Sequence, residues 1–353
     1  MLAINDYIFR KNASSISLDD LTKFADVNAV DTTLQMPFGS YRWNINGNDA
    51  TIYAVKNGQI FDSIKVSEIT ENVFTHTEAI GEAELYYDSV FAFSRWNVQT
   101  TNGRYRDFNF NLFPDEITHI YLKYQYLSII DLSSKTKLTY MYARESSPVS
   151  VQLDTINPNM ATVSIHTCNV TFWDWNFTPN FWKIYNYAGT CNFGDLSVLT
   201  SLTNFDSYKG YSSSWDLSGA TGLYYFAARS LGIKDVGNSF DTLPLLEVFS
   251  LEDTNLSNNG DFSLDFSNCP LLNNFKARSS VNRLRPQDIT TSLKNINYTK
   301  TNPGNAHHQL LFDRIALLDT LNGSYIYSLS YPPDLTTASA LTMIANGWSI
   351  IGV

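Results

Sequence analysis

Charged residues are scarce in this sequence of 353 residues, and basic ones are the scarcer. Lys, Arg, Asp and Glu make up 16% of the chain, against about 25% in an average globular protein. The 34 acidic residues outnumber the 24 basic ones, and the formal net charge is −10. Because no basic stripe is present to displace counterions from a phosphate backbone, we expect no nucleic acid as a main partner.

Cysteines, long apolar runs and targeting signals are also few or missing. The cysteines Cys168, Cys191 and Cys269 are odd in number and lack metal-ligand spacing, so we expect no disulfide framework. No segment reaches the roughly 18 uncharged apolar residues of a membrane helix. Asp6 interrupts the N-terminus where a secretory signal requires an apolar stretch. We therefore expect neither membrane insertion nor a signal peptide.

Catalytic and cofactor motifs are missing too. The sequence has no Gly-rich phosphate loop, G-x-S-x-G, H-E-x-x-H or paired C-x-x-C. His119 and His166 fall within repeat strands, where a histidine is expected to be structural. His307 and His308 are adjacent in the chain, and adjacent histidines rarely bind the same metal ion. We expect a protein that is not an enzyme and that binds no cofactor or metal. A carbohydrate-active enzyme stays as an alternative, because sequence cannot show the separation of two glycosidase carboxylates.

Aromatic residues are abundant, at 14% of the chain, and the middle of the chain repeats. An apolar anchor is followed three residues later by a second apolar residue and two residues later by a third or a small one. Anchors recur every 20 to 26 residues between residues 117 and 298. The copies are Ile117-x-x-Ile120-x-Leu122, Leu138-x-x-Met141-x-Ala143, Met160-x-x-Val163-x-Ile165, Trp182-x-x-Tyr185-x-Tyr187, Leu202-x-x-Phe205, Leu223-x-x-Phe226-x-Ala228, Leu246-x-x-Phe249-x-Leu251, Leu272-x-x-Phe275-x-Ala277 and Leu293-x-x-Ile296-x-Tyr298. Such a repeat predicts a solenoid, in which each strand buries its apolar side against its neighbours.

An aspartate recurs in phase with this repeat, seven residues ahead of an anchor. The positions are Asp131, Asp195, Asp216 and Asp265. Because they are periodic, we predict that their side chains accept hydrogen bonds from N–H groups of a repeated turn, rather than form one acid/base pair.

The repeat resembles leucine-rich repeats in a short, irregular form with aromatic residues in place of many leucines. Cys168 and Cys191 lie near the Asn/Cys position of that family. The segments between strands are too short and too rich in Gly and Ser for regular helices. The resemblance implies one strand per repeat and short strands or single helical turns on the return side.

The fold class we predict is mainly β, with an N-terminal β-domain, a leucine-rich-repeat-like solenoid and a small α/β C-terminal cap. We divide the chain into an N-terminal arm with a short helix capped by Ser17 (1–30), a small β-domain (31–112), the solenoid (113–300) and the cap (301–353). Within the β-domain, Asn46-Gly47 and Asn57-Gly58 predict hairpin turns. For the cap we predict a helix, a strand, a second helix and a second strand, in that order.

Residues 313–321 and 340–352 are similar to the C-terminal ends of leucine-rich-repeat-like proteins of bacteriophages of Bacteroidota. There a helix leads into a Gly-Trp-Ser/Thr-Ile strand, as in Gly347-Trp348-Ser349-Ile350. The resemblance implies a virion structural protein, such as a head or tail fibre, spike or decoration subunit, assembled in the host cytoplasm and released by lysis. Its partners would be other virion proteins and copies of itself. The alternative is an intracellular or host-associated repeat protein that binds another protein.

Two groups of residues are candidates for contact with partners. Aromatic residues in and after the fourth repeat could stack on a host glycan or contact a host protein, or only fill the core: Trp173, Trp175, Tyr187, Tyr208 and Tyr211. Apolar residues of the N-terminal arm could dock onto the virion, or fold back onto the β-domain: Leu2, Ile4, Tyr7, Ile8 and Phe9.

Overall fold

A computed structural model of the chain shows a mainly β protein with a parallel β-solenoid and two C-terminal helices, as the sequence predicts. Two compact units divide it: unit 1 holds Met1–Thr178 and Gly189–Cys191, and unit 2 holds Pro179–Ala188 and Asn192–Val353. The structure describes residues 16–29, 33–36, 44–45, 50–66, 72–75, 81–88, 91–92, 95–99, 105–108, 117–123, 129–132, 134–144, 149–152, 159–166, 170–172, 182–187, 191–192, 195–209, 216–236, 239–257, 263–280, 282–298, 305–318, 325–329 and 334–352.

The N-terminal part of unit 1 is an antiparallel sheet with strand order β10-β1-β7-β4-β5. Its strands are β1 (Thr22–Ala29), β4 (Ala50–Lys56), β5 (Gln59–Val66), β7 (Gly81–Tyr87) and β10 (Tyr105–Phe108). Asn57 and Gly58 both have positive φ, at 52° and 73°, and form the predicted turn between β4 and β5. Two small antiparallel pairs accompany the sheet: β2 (Thr33–Met36) with β6 (Asn72–Thr75), and β3 (Asn44–Ile45) with β8 (Phe91–Ala92).

One local prediction for this region is wrong. Ser17 does cap a turn, since its Oγ accepts a hydrogen bond from the Asp19 N–H, but the turn is a single 3-10 turn over Leu18–Asp20. Strand β1 begins at Thr22, because pairing with β7 outweighs a weak local preference for helix. The turn predicted at Asn46-Gly47 lies outside the described residues.

Unit 1 also holds a parallel ladder of the strands β9 (Arg95–Gln99), β11 (His119–Lys123), β13 (Tyr140–Arg144) and β15 (Thr162–His166). A smaller parallel sheet on the return side contains β12 (Ile129–Asp131), β14 (Val149–Gln152) and β16 (Val170–Phe172), followed by β18 (Cys191–Asn192). Strand β9 pairs in parallel with β11, with Trp96 opposite Ile120. The ladder therefore begins in a segment that the sequence analysis placed in the β-domain, where Phe93-x-x-Trp96-x-Val98 is an aromatic copy of the repeat.

Unit 2 continues the repeat in a parallel sheet of eight described strands. They are β17 (Lys183–Tyr187), β19 (Asn204–Tyr208), β20 (Tyr225–Asp235), β21 (Val248–Ser257), β23 (Asn274–Arg278), β25 (Asn295–Tyr298), β26 (Tyr325–Leu329) and β27 (Trp348–Gly352). Strands β22 (Ser263–Leu264) and β24 (Arg283–Leu284) pair on the return side, beside 3-10 turns at Ser239–Thr242 and Pro286–Asp288. The helices α1 (Asn305–Ala316) and α2 (Ala338–Ala345) alternate with the last two strands, which is the predicted α/β cap.

The register of β17 corrects the sequence reading by one residue. Ile184 pairs with Phe205, a repeat core position, so the fourth copy of the repeat is Phe181-x-x-Ile184-x-Asn186. The predicted copy starting at Trp182 is wrong, because a shift of one residue moves every side chain of a strand to the opposite face. Trp182 is 42% exposed, and the buried Asn186 donates a 2.8 Å hydrogen bond to the Tyr208 carbonyl.

Stacked phenylalanine rings form the core of unit 2. Phe205, Phe226, Phe249 and Phe275 occupy one core position in four successive repeats, and each is 0% exposed. Neighbouring rings lie 5.2 to 5.5 Å apart with interplanar angles of 10° to 16°. Ile296 holds the same position in the next repeat, and the Tyr298 ring packs at the end of the column, 5.6 Å from that of Phe275. The Tyr298 hydroxyl accepts a 2.9 Å hydrogen bond from the Leu284 N–H. This column is the interior side of the sheet.

Three of the periodic aspartates have the predicted turn role. Asp195, Asp216 and Asp265 accept hydrogen bonds at 2.8 to 2.9 Å from the backbone N–H groups of the residues two positions later in the chain. Each bond fixes the start of a return turn, so in these three repeats one side chain sets the path of the backbone.

Replacement of Gly219 should show how closely adjacent return turns approach. A Cβ at residue 219 would lie 1.8 Å from the carbonyl oxygen of Ser197, whereas a Cβ at residue 222 would meet nothing closer than 3.6 Å. We expect Gly219→Ala to lower the free energy of unfolding by about 3 kcal/mol, the upper range for overpacking. Gly222→Ala, the matched control, should change it by less than about 0.5 kcal/mol. Equal effects in urea denaturation would contradict this packing.

Candidate functional site

The side chains that do not pack into the core lie on the outer face of the repeat strands. Strand β13 shows the alternation: Met141 and Ala143 are 0% exposed, while Tyr140, Tyr142 and Arg144 are partly exposed. Successive side chains of a strand point to opposite faces. The positions two, four and six residues after each anchor therefore form three rows across the outer face.

In unit 1 these rows bring five aromatic rings together into what we call the aromatic platform. Its members are His119, Tyr121, Tyr140, Tyr142 and His166 on β11, β13 and β15. The rings of His119 and Tyr140 lie 5.6 Å apart, and those of Tyr121 and Tyr140 lie 5.2 Å apart. Tyr142 contacts Tyr121 at 5.9 Å and His166 at 5.2 Å. Each ring is partly exposed, so the platform is a continuous aromatic surface on a rigid sheet.

The three strands of the platform contribute no acidic residue. The sequences of β11, β13 and β15 contain no Asp or Glu, and they contain Lys123 and Arg144 besides the two histidines. Burial, and then the charge of Arg144, hold the pKa of His166 below its ordinary value. The imidazole of His166 is therefore neutral at pH 7.

In unit 2 the outer face begins with tyrosines and continues with ion pairs. Tyr187, which is 49% exposed, and Tyr208 have ring centroids 5.7 Å apart, and Lys209 Nζ lies 5.3 Å from the Tyr208 ring. Farther along, Arg229 binds both carboxylate oxygens of Asp206 at 3.3 Å.

A second pair on this face joins Arg278 to Glu252 at 2.9 Å. Burial raises the pKa of Asp206, a shift that the Arg229 guanidinium opposes. Arg229 and Arg278 on this face thus have carboxylate partners within the protein.

Only some of the predicted contact residues can be placed. Tyr187 and Tyr208 lie side by side on the outer face of unit 2, so neither belongs to the core. Outside the described residues lie Trp173, Trp175 and Tyr211, and the docking candidates Leu2, Ile4, Tyr7, Ile8 and Phe9.

The aromatic platform is not among the predicted contact sites, although its signal is present in the sequence. The anchors of the repeat, on which the prediction rests, face the core. The variable positions between them hold His119 and Tyr121 in the first copy, and Tyr140 and Tyr142 in the second. Reading those positions from one repeat to the next shows the rows directly, because in-register parallel strands place equivalent residues side by side.

The described residues show no arrangement suited to a metal. None of their His, Cys, Asp and Glu side chains form a group of three or more that could hold a metal ion. Cys269 is buried, its Sγ donates a hydrogen bond to the Phe240 carbonyl at 2.9 Å, and burial raises its pKa to about 12. This thiol is protonated at neutral pH and acts as a packed core residue. In the part of the chain that the structure describes, no helix is long and apolar enough to span a membrane.

The histidine pair of α1 packs against the end of the repeat core. His308 is 1% exposed and its ring lies 5.6 Å from that of Tyr298, edge to face. Burial lowers the pKa values of His307 and His308 to about 4, and nearby Arg283 adds to the shift of His307. Both imidazoles are therefore neutral in the folded protein at pH 7.

Comparison with protein-family models and with curated proteins finds no match to this chain.

The histidine pair of α1 predicts a free energy of unfolding that falls in mild acid. Their folded pKa of about 4 lies below the ordinary value of 6.5, so the unfolded chain takes up protons that the folded one does not. The contribution is complete above pH 6.5 and is lost as the pH falls toward 4. We expect the thermal unfolding midpoint to drop between pH 6.5 and 4.5, and His308→Phe to reduce that slope. An unchanged slope in the variant would contradict the assignment.

Proposed function

We propose that this protein is a non-catalytic virion component of a bacteriophage that recognises the host surface through the outer face of its repeats. The observation that carries the binding role is the aromatic platform, with ring centroids of neighbouring strands 5.2 to 5.9 Å apart. Exposed aromatic rings are costly to keep in water, and their packing onto a ligand is favourable.

The sheet under these rings is rigid, which suits recognition. The outer-face tyrosines sit on strands whose opposite face is packed into a core with residues such as Ile120, Met141 and Val163 at 0% exposure. A ligand that binds there does not have to order a loop first, so less of the contact energy is lost as conformational entropy. Tyr187 and Tyr208 offer a second contact area of the same kind in unit 2.

The virion assignment is supported by the resemblance of residues 313–321 and 340–352 to repeat proteins of bacteriophages. In this proposal the N-terminal arm attaches the protein to other virion subunits, and the subunit assembles with copies of itself. The second candidate is an intracellular or host-associated repeat protein that uses the same aromatic surface to bind another protein.

Mass spectrometry of purified phage particles separates these two candidates. We expect peptides of this chain in particles purified by density gradient, at a constant ratio to the major capsid protein. Treatment of the particles with 1 M salt should not remove it, because a virion subunit is held by a stable interface. Detection only in the lysate supernatant would instead favour the repeat protein that acts outside the particle.

Loss of exposed tyrosines should weaken attachment to host cells. The double variant Tyr187→Ser and Tyr208→Ser removes two rings that contact each other and leaves the core unchanged. We expect a drop of about tenfold in the binding of the labelled full chain to host cells, equivalent to about 1.4 kcal/mol. Tyr224→Ser is the matched control, since Tyr224 is 43% exposed but precedes strand β20. An equal loss in the control would contradict a role of this face.

A further inference from the structure

We infer that strand β27 and helix α2 form the surface through which two copies of this chain associate, with β27 of one copy antiparallel to β27 of the other. This inference rests on the self-assembly in the proposed function and names the surface at which it occurs. It depends on three properties of this end of unit 2: the position of β27 in the sheet, the exposure at the end of the core column and the lack of charge.

Strand β27 lies at the end of the sheet. In the described part of the chain its one neighbouring strand is β26, with Ile350 opposite Tyr327. The backbone groups on the far edge of such a strand can pair with another strand, and proteins usually prevent this with Lys, Pro or a bulge. The sequence of β27, Trp-Ser-Ile-Ile-Gly, has neither Lys nor Pro, and its register with β26 has no bulge. The edge is therefore suited to pairing with a further strand.

The core column of unit 2 is incompletely covered at β27. Strand pairing in register continues the column from Phe275 through Ile296 and Tyr327 to Ile350. Phe275 and Ile296, which have a repeat on either side, are 0% exposed, whereas Ile350 is partly exposed. Each repeat of a solenoid buries its apolar side only against a neighbour. One more layer beside β27 would therefore complete the burial of Ile350.

Apolar side chains are also exposed on the elements next to this edge. Helix α2 leads into β27 and contacts it, and Met343 is buried beneath the helix. Leu341 and Ile344 on α2 are 56% and 44% exposed, and Ile351 on β27 is 43% exposed. Exposed apolar side chains on adjoining elements mark an interaction site. The surface available to a partner thus extends from the strand onto the helix.

The lack of charge at this end favours a second copy of the chain as the occupant. Residues 335–353 contain no Asp, Glu, Lys, Arg or His. Two copies of a chain with a formal net charge of −10 repel each other. An interface between identical surfaces is therefore most favourable where no carboxylate comes to lie opposite its own copy. A strongly charged partner, by contrast, would gain no electrostatic attraction from this surface.

Two-fold symmetry determines how the strands pair. An axis perpendicular to the sheet makes the two β27 strands antiparallel and keeps the core side of both copies on one face of the joined sheet. With the axis at Ile350, all five residues pair. Ile350 then lies opposite its own copy, and Ser349 lies opposite Ile351 of the second copy. The core column continues from one copy into the other, so each Ile350 is covered.

Sedimentation equilibrium of the purified full chain tests the inference. We expect a dimer of about 80 kDa at micromolar concentration, twice the 39.9 kDa of one chain. Leu341→Glu with Ile344→Glu should weaken dimerisation about a hundredfold, because it places like charges opposite each other. Leu245→Glu with Leu271→Glu is the matched control, since these leucines are 48% and 43% exposed in earlier repeats, and it should leave the mass unchanged. Circular dichroism checks that each variant is folded.

Disulfide formation tests the pairing of the strands. Ser349→Cys with Ile351→Cys places cysteines opposite each other on the two strands, within the Cα separation of about 4.4 to 6.8 Å that a disulfide requires. We expect a covalent dimer on a non-reducing gel after mild oxidation. Ile351→Cys alone is the matched control, because its new thiol faces Ser349 of the second copy, and it should give no covalent dimer.

Four outcomes would overturn the inference: a monomer, a mass that rises beyond the dimer, equal effects of the two pairs of Glu substitutions, or equal cross-linking of the two cysteine variants. A mass beyond the dimer would show that copies associate through two different surfaces. The inference and the proposed function fail separately. A monomer in solution that is present in purified particles would refute only this interface. A dimer in solution that is absent from particles would refute only the virion assignment.

Discussion

In-register stacking of one core side chain per repeat is the interaction on which this structure depends. Phe205, Phe226, Phe249 and Phe275 lie directly over one another in unit 2, at nearly equal distances and angles. A single turn of the chain cannot bury such a ring by itself, because half of the ring would face water. Each repeat is stable only with its neighbours on either side, so the register of one strand determines that of the next.

The same constraint creates the binding surface. Because parallel strands place equivalent residues side by side, the positions between the anchors line up in rows on the opposite face of each sheet. The core needs only the buried face, so the sequence of the rows can vary without loss of stability. In unit 1 the rows hold aromatic rings with an arginine, and in unit 2 they hold tyrosines followed by arginine–carboxylate pairs. One scaffold thus presents outer faces with different side chains.

Strands and turns were predicted correctly from the sequence where the repeat pattern is clear, and wrongly where it is ambiguous. Anchors such as Leu246 and Leu272 recur with clear spacing, and their strands form where they were predicted. The fourth copy was placed one residue late, because its run of aromatic residues fits the pattern in two registers and only pairing with β19 decides between them. The helix predicted after Ser17 was reduced to one turn by the pairing of β1 with β7.

The sequence by itself determined the mainly β class, the solenoid, the α/β cap and the aspartates that hold the return turns. These features depend on periodicity and on contacts between residues two positions apart, which a linear pattern records. Only the tertiary structure decided which aromatic residues face outward and which of them touch. Tyr121 and Tyr140 are 19 residues apart in the chain, and their contact depends on the register of two strands rather than on either local sequence. The pairing of Arg229 with Asp206 has the same origin.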